Sequence, residues 1–165
     1  MTSTRRTPEQ LEKRRQTMAK PSTATVMKVM ARAHLRIFRL TGGRFGNSLP
    51  TGVLTSVPTL MLDHVGRTSG TAYTTPLVYL ADGQDLVVVA SQGGMAKDPQ
   101  WYANLVAHPD TQVQIRREVR RVHARVAAPA DRASLWPRLI DLYADYDTYQ
   151  AITEREIPLM VLEPR

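Results

Sequence analysis

The run Thr59-Leu60-Met61-Leu62-Asp63-His64-Val65, the turn Gly66-Arg67-Thr68-Ser69-Gly70 and the run from Ala72 to Leu80 decide the fold. Both runs are β-branched or alternating, the signature of strands, and the turn between them is too short to hold a helix. The pattern repeats outward. Asp85 to Ala90 follows the turn Ala81-Asp82-Gly83-Gln84, Thr111 to Arg116 and Val119 to Ala128 flank the Arg117-Glu118 region, and Ile157 to Leu162 is a last apolar strand. Strands a short turn apart pair antiparallel, because a parallel neighbour needs a crossover of roughly a dozen residues or more. The sequence therefore predicts an antiparallel meander or barrel in an α+β chain that is mainly β.

Helical signals lie around and between these strands. Asp98-Pro99 reads as an N-cap followed by proline at the first helical position, opening a helix from Gln100 to His108 that Pro109 stops. A second helical stretch runs from Asp131 to about Ile152, kinked or restarted at Trp136-Pro137. Near the start, with Ser22 or Thr23 as N-cap, Val26, Val29, Met30, Ala33, Ile37 and Leu40 recur at helical spacing, and Lys28, Arg32, Arg36 and Arg39 form a basic stripe on the other side. Gly42-Gly43 ends this helix, and after Gly46-Asn47 the period shortens toward two. The chain divides into a basic flexible arm over 1–21 that becomes helical on docking, a basic amphipathic helix over 22–41, and a folded β domain over 42–165.

With 165 residues, 42% of them hydrophobic, and a mean hydropathy of −0.30, the chain is long and apolar enough for one buried core. It has no cysteine, which removes disulfides, thiolate metal sites and cysteine nucleophiles together. The net charge of +7 is concentrated. Residues 1–40 carry ten Lys/Arg against Glu9 and Glu12, so the rest of the chain is close to −1. A nucleic-acid footprint on the β domain is not expected, since such surfaces need clustered cations on the folded face. Charges interrupt every candidate signal-peptide window, and the uncharged run Phe45 to Leu62 is broken by Pro50, Pro58 and glycines, so neither a leader nor a spanning helix is expected. His34, His64, His108 and His123 lack the spacing of a metal-binding helix, and no nucleophile elbow, phosphate-binding P-loop or dinucleotide fingerprint occurs.

Three segments remain that are dense in glycine, hydroxyl, basic and aromatic residues. Gly66 to Gly70 can present successive backbone N–H groups, hydroxyls and a guanidinium to an anion such as phosphate, although hairpin turns use the same residues for shape alone. Ala90-Ser91-Gln92-Gly93-Gly94 ends an apolar strand in residues that let a flat ligand approach the backbone. In Lys97 to Leu105, Trp101 and Asn104 share a helical face and could set an aromatic wall and an amide beside a planar heterocycle, or place an ordinary tryptophan in the core.

Together these segments resemble the deazaflavin-dependent nitroreductases, relatives of the split-barrel flavin reductases. The family pattern is met by Gly66-Arg67-Thr68-Ser69-Gly70, Pro76-Leu77, Ala90-Ser91, Gly93-Gly94, Asp98-Pro99, Trp101-Tyr102, Asn104-Leu105 and Ile157-Pro158, in order, from about Gly42 to Pro164. The resemblance implies a split antiparallel β-barrel over 42–165 that binds coenzyme F-420, an 8-hydroxy-5-deazaflavin with a phosphate and an oligoglutamate tail. Arg67, Thr68, Ser69 and Gly70 would hold the phosphate, with Lys97 near the acidic tail. Ser91, Gln92, Gly93, Trp101, Asn104 and the Pro76-Leu77 backbone would line the ring. Tyr73 stands where the pattern has arginine and Gln92 where relatives often have lysine, so two cationic contacts are missing.

The activity so implied is transfer of a hydride from reduced coenzyme to a quinone, an enone or a nitro-heteroaromatic, with a general acid to protonate the product. Ser91, Tyr143, Tyr146 and Tyr149 are the candidates for that acid, the tyrosines falling on one side of a helix. The alternatives are a split barrel that binds FMN or haem, and a membrane-associated binding module without turnover. The expected location is the cytoplasm, with peripheral attachment of residues 5–40 to the anionic inner face of the membrane as the further expectation.

Overall fold

A computed structural model of the chain describes residues 7–41, 48–50 and 56–165. Helices α1 (Pro8–Ala19) and α2 (Pro21–Leu40) precede strands β1 (Ser48–Pro50), β2 (Ser56–Val65), β3 (Ala72–Asp82) and β4 (Asp85–Val89). A 3-10 turn at Gln92–Gly94 leads to α3 (Gln100–Ala107), β5 (Asp110–Ile115), β6 (Glu118–Val126), α4 (Pro129–Leu142), α5 (Asp145–Ala151) and β7 (Leu159–Pro164). Every pairing is antiparallel, in the order β1-β2-β3-β4-β7-β6-β5, and β2 also pairs with β5 through Met61 opposite Gln114 and Leu62 opposite Val113. That last pairing closes six strands into the expected barrel and leaves β1 as an extra strand on β2.

Alternation sets the interior. Leu60 and Leu62 of β2, Leu86 and Val88 of β4, Val113, Val122, Ala124, Met160 and Leu162 are buried together with Trp101 and Leu105 of α3. The other faces of β4 and β7, with Val87, Val89, Leu159 and Val161, are covered in turn by Leu135 and Leu139 of α4 and Tyr146 of α5. Burial on both faces is why Leu86-Val87-Val88-Val89 reads as an unbroken apolar run and not as alternation.

Several local expectations shift, each for a visible reason. The flexible arm is helical over Pro8–Ala19, with Thr7 and Gln10 forming a reciprocal capping box. Helix α2 begins at Pro21 after Lys20, not at Ser22 or Thr23, and the Thr23 hydroxyl instead donates to the Thr17 carbonyl at 2.6 Å. Helix α3 is capped by Pro99, because the Asp98 carboxylate is taken by Arg155 at 2.7 Å. Helix α4 continues through Pro137, which is exposed, and the break falls at Tyr143-Ala144. Burial of Leu135 and Leu139 on either side offsets the roughly 3 kcal/mol that an interior proline costs. Gly42-Gly43 and Gly46-Asn47 lie outside the described residues.

Helix α2 packs on a face other than the one its apolar periodicity suggests. Phe38 is buried and Leu35 half-buried, whereas Val26, Val29, Met30, Ile37 and Leu40 are all more than half exposed. Arg39 reaches Thr74 of β3 at 3.3 Å. Among the described residues no helix is long and apolar enough to cross a membrane, and no three His, Cys, Asp or Glu are grouped to hold a metal.

Leu62 is fully buried where the barrel closes, so Leu62→Ala removes packing and leaves a cavity. Chemical denaturation should show a loss of about 2–5 kcal/mol, against less than about 0.5 kcal/mol for Val119→Ala on the exposed side of β6.

Candidate active site at the barrel mouth

Strand direction brings the sequence motifs to one end of the barrel. Strand β3 is antiparallel to both β2 and β4, so the β2–β3 turn and the chain leaving Val89 emerge together. The β3–β4 ladder ends with Tyr79 opposite Val88, and beyond it Ala90 N–H donates to Pro158 O, just before β7, at 2.9 Å. Pro76 pairs opposite Met61, and Leu77 packs on the inner core.

The Gly66–Gly70 turn is held from inside. Gly66 N–H donates to Thr71 O at 2.8 Å, Gly70 N–H to Gly66 O at 2.8 Å, and Thr71 N–H to Ser69 Oγ at 3.3 Å. A Cβ on Gly66 would lie 2.5 Å from Ser69 Oγ and 3.2 Å from the Tyr73 ring, so a side chain there would displace the serine hydroxyl that braces the turn. Gly70 has φ +66°, in the left-handed region that favours glycine. Arg67 N–H donates to Asn104 Oδ1 at 3.1 Å. The backbone N–H groups of Thr68 and Ser69 have no partner among the described residues, and they sit beside the exposed Arg67 guanidinium and Thr68 hydroxyl. Two adjacent free amides with a guanidinium are a cradle for a phosphate-like anion.

Asn104 and Trp101 do not line that mouth. Asn104 is 1% exposed, and its amide is spent on Arg67 N–H and, through Nδ2, on His64 Nδ1 at 2.9 Å. Trp101 is 5% exposed within the barrel core, edge-on to Tyr102. Both residues act from beneath the surface, one fixing the turn and the other filling the core. Tyr73 stacks on His64, with ring centroids 5.5 Å apart and planes inclined by 21°. Lys97 is exposed in the loop before α3.

The loop after β4 has an uncommon backbone. Gln92, Gly93 and Gly94 have φ of 45°, 68° and 81°, three left-handed residues in succession, the first of them not glycine. Such a path costs energy and persists only when its surroundings hold it. Arg155 holds it. Its Nη2 donates to the Ala90 and Ser91 carbonyls at 3.0 Å each, its Nε to Met95 O at 3.0 Å, and its Nη1 to Asp98 at 2.7 Å. From the other side, a Cβ on Gly94 would lie 2.7 Å from Ile152 and 2.8 Å from the Tyr149 carbonyl, so the loop rests directly on α5. Ser91 is mostly buried at the start of this loop.

The three tyrosines cluster across the α4–α5 junction and not along one helix. Tyr143 and Tyr146 have ring centroids 5.0 Å apart, and Tyr149 lies 6.3 and 6.4 Å from them. Tyr146 is buried in the outer core, where burial raises its phenol above the usual range. Tyr143 is also raised, first by burial and then by its bond to Tyr149, whose hydroxyl lies 3.3 Å away. Arg14 of α1 closes the group, donating to Asp145 at 2.8 Å and to the Tyr149 hydroxyl at 3.4 Å, with its guanidinium over the Tyr149 ring. Tyr143 and Tyr149 thus have hydroxyls in a polar network, and Tyr146 is packing.

His64, Arg155 and Arg14 were not singled out from the sequence. The inward alternation Leu60, Leu62, His64 signals the first, whereas no local pattern signals either arginine.

The sequence profile of a family described as "F420H(2)-dependent quinone reductase" matches residues 30–164. A Mycobacterium tuberculosis protein provisionally named as an F420H(2)-dependent quinone reductase is 49% identical over 117 residues, 71% of this chain and 98% of that protein. Another from the same organism, named an F420H(2)-dependent quinone reductase, is 36% identical over 139 residues, covering 82% of this chain and 91% of its own. Among solved structures, an F420-H2 dependent reductase superposes with a TM-score of 0.60 at 32% identity, over 64% of this chain and 94% of that one.

Arg155→Met would leave the Ala90 and Met95 carbonyls without the guanidinium in a half-buried position, and the Ser91 carbonyl with only the Gly94 N–H. Backbone amides of Gln92 to Met95 should then exchange at least about tenfold faster. Unchanged exchange would show that the loop holds its path without Arg155.

Proposed function

The chain belongs to the F420H(2)-dependent quinone reductase family, an oxidoreductase family that uses coenzyme F-420, and from that premise we propose how its own residues serve the reaction. The observation that carries the placement is the donor set of the Thr68 and Ser69 amides with the Arg67 guanidinium, which fits the coenzyme's phosphate. The Ser91–Gly94 loop, in which Gly93 is buried and Gln92 half-buried, would with the Pro76-Leu77 segment face the flat ring. Lys97 is the nearest cation in sequence for the acidic tail. Asn104 and Trp101 support this surface without touching the ring.

Bound and reduced, the coenzyme supplies a hydride. A quinone that accepts it becomes an anion and needs a proton, and enones and activated nitro-heteroaromatics make the same demand. Tyr149 meets that demand best, because its backbone touches the coenzyme loop and its hydroxyl is linked to Tyr143 and Arg14. Ser91, at the root of the loop, is the second donor. Burial keeps the Tyr143 hydroxyl protonated, so it can pass a hydrogen bond to Tyr149 without ionising.

The family favours F-420 over FMN or haem. Fluorescence titration should give tighter binding of F-420 than of FMN, and Arg67→Ala should weaken F-420 binding by about tenfold or more. Reduced coenzyme should be consumed on addition of menadione, with Tyr149→Phe and Ser91→Ala lowering turnover more than coenzyme affinity. No oxidation with any quinone would leave only a binding role.

We also propose that α2 attaches the protein to an anionic membrane face from the cytoplasmic side. Val26, Val29, Met30, Ile37 and Leu40 are exposed in a row beside Arg32 and Arg36, the pairing of apolar and basic faces that interfacial binding needs. Sedimentation with anionic vesicles should fall as salt rises, since each surface cation contributes about 1 kcal/mol there. Met30→Asp with Ile37→Asp should abolish it, and equal partitioning of this variant would refute the attachment.

A further inference from the structure

Sequence alternation puts His64 on the inner face of β2 at the mouth of the barrel, where it is 6% exposed. Both ring nitrogens are engaged. Nδ1 lies 2.9 Å from Asn104 Nδ2, and Nε2 lies 3.0 Å from Thr75 Oγ1.

The hydrogen-bond roles follow from one fixed donor. Arg67 N–H can only donate, so the Asn104 atom facing it must be Oδ1, and the amide nitrogen must face His64. An amide NH₂ can only donate in its turn. His64 Nδ1 must therefore accept, which requires a neutral imidazole with its proton on Nε2, donated to Thr75. The chain of roles runs from the imidazole through a buried amide to the first N–H of the turn that carries Arg67, Thr68 and Ser69.

We infer that His64 is a positioning residue for coenzyme binding: as the neutral Nε2–H tautomer it fixes Asn104, and Asn104 fixes the Gly66–Gly70 turn. This rests on the reading that the turn holds the coenzyme phosphate. Protonation at Nδ1 sets a donor against a donor. If Asn104 rotates to relieve that, its NH₂ faces the Arg67 N–H instead. Either way the turn loses its inner anchor.

The surroundings favour the neutral form. Burial holds the imidazole below the ordinary histidine range, and the Asp63 carboxylate opposes this only in part. Asp63 is engaged on the other side of β2, by Thr74 at 2.7 Å and Gln112 at 2.8 Å. Among the described residues the Tyr73 phenol stacks on the ring from β3, α3 offers the uncharged Asn104, and the Arg67 guanidinium on the following turn is exposed to solvent. The anchor therefore persists through the ordinary histidine range and is lost as pH falls through the lower value of the folded imidazole; the unfolded chain takes up the proton first, so the stability that the neutral form contributes declines on the same acid side.

The test compares two variants with wild-type protein from about pH 5 to pH 8, reading F-420 affinity by fluorescence and the Arg67 amide by hydrogen exchange without coenzyme. His64→Asn presents an amide oxygen to Asn104 and cannot titrate in this range. Its affinity at neutral pH should stay within about twofold of wild type, and it should lack the acid-side loss that wild type shows. His64→Phe keeps the ring stacked on Tyr73 but offers no acceptor, so affinity should fall about tenfold at all pH values and Arg67 N–H should exchange about tenfold faster. Titration of the coenzyme itself is common to all three proteins and cancels in the comparison. An acid limb in His64→Asn equal to that of wild type, or wild-type exchange in His64→Phe, overturns the inference. Failure of the phosphate reading looks different: Arg67→Ala would bind F-420 as wild type does, while the exchange measurement would still report the anchor.

Discussion

Two residue pairs, Met61 with Gln114 and Leu62 with Val113, turn a sheet into a barrel, and the mouth depends on this closure. Strand β2 pairs with β1, β3 and β5, so its course is fixed from three directions. Its last residues have no freedom left. His64 is delivered to the inner rim, and the turn that follows starts from a defined point. A hairpin that carried the same Gly66–Gly70 residues without closure would offer its amides to solvent in many arrangements, and each binding event would have to order them.

The irregular parts of the molecule are secured by guanidinium groups. No disulfide exists to do this, because the chain has no cysteine. Arg155 gathers three carbonyls and a carboxylate from the loop after β4, and Arg14 joins α1 to Asp145 and Tyr149. Arg132 spans Ile157 O and Gln150 while lying over the Trp136 ring at 4.3 Å. These three are half-buried and make several bonds each, unlike Arg15–Glu154, which is exposed and contributes little. Five donors in a rigid plane suit arginine to this task, where lysine would satisfy fewer carbonyls.

Strand positions and the barrel were legible in the sequence because alternation and turn chemistry are local. So was the identity of the motif segments. What each motif residue touches was not legible, since it depends on tertiary neighbours. Trp101 and Asn104 share a helical face as expected, yet that face points into the core and beneath the turn. Tyr143, Tyr146 and Tyr149 meet as expected, but across a break between helices that their spacing does not reveal, and of the three only the Tyr143 and Tyr149 hydroxyls have a hydrogen-bonding partner among the described residues. Arg155 sits between Glu154 and Glu156, where its sequence context suggests a solvated charge run, and its carbonyl partners are about sixty residues away. The row on α2 marks the same limit: periodicity finds a coherent apolar face without saying what covers it.

The contact between Gly94 and α5 joins two parts of the site that chemistry would treat separately. The loop after β4 and the helix carrying Tyr149 meet with no space for a methyl group between them. Substitution on α5 is therefore not free: bulk added near Ile152 or Tyr149 displaces the Gln92–Gly94 loop. Gly94 would stay glycine even beside a smaller residue at position 152, because the Tyr149 carbonyl and a φ of 81° hold it there.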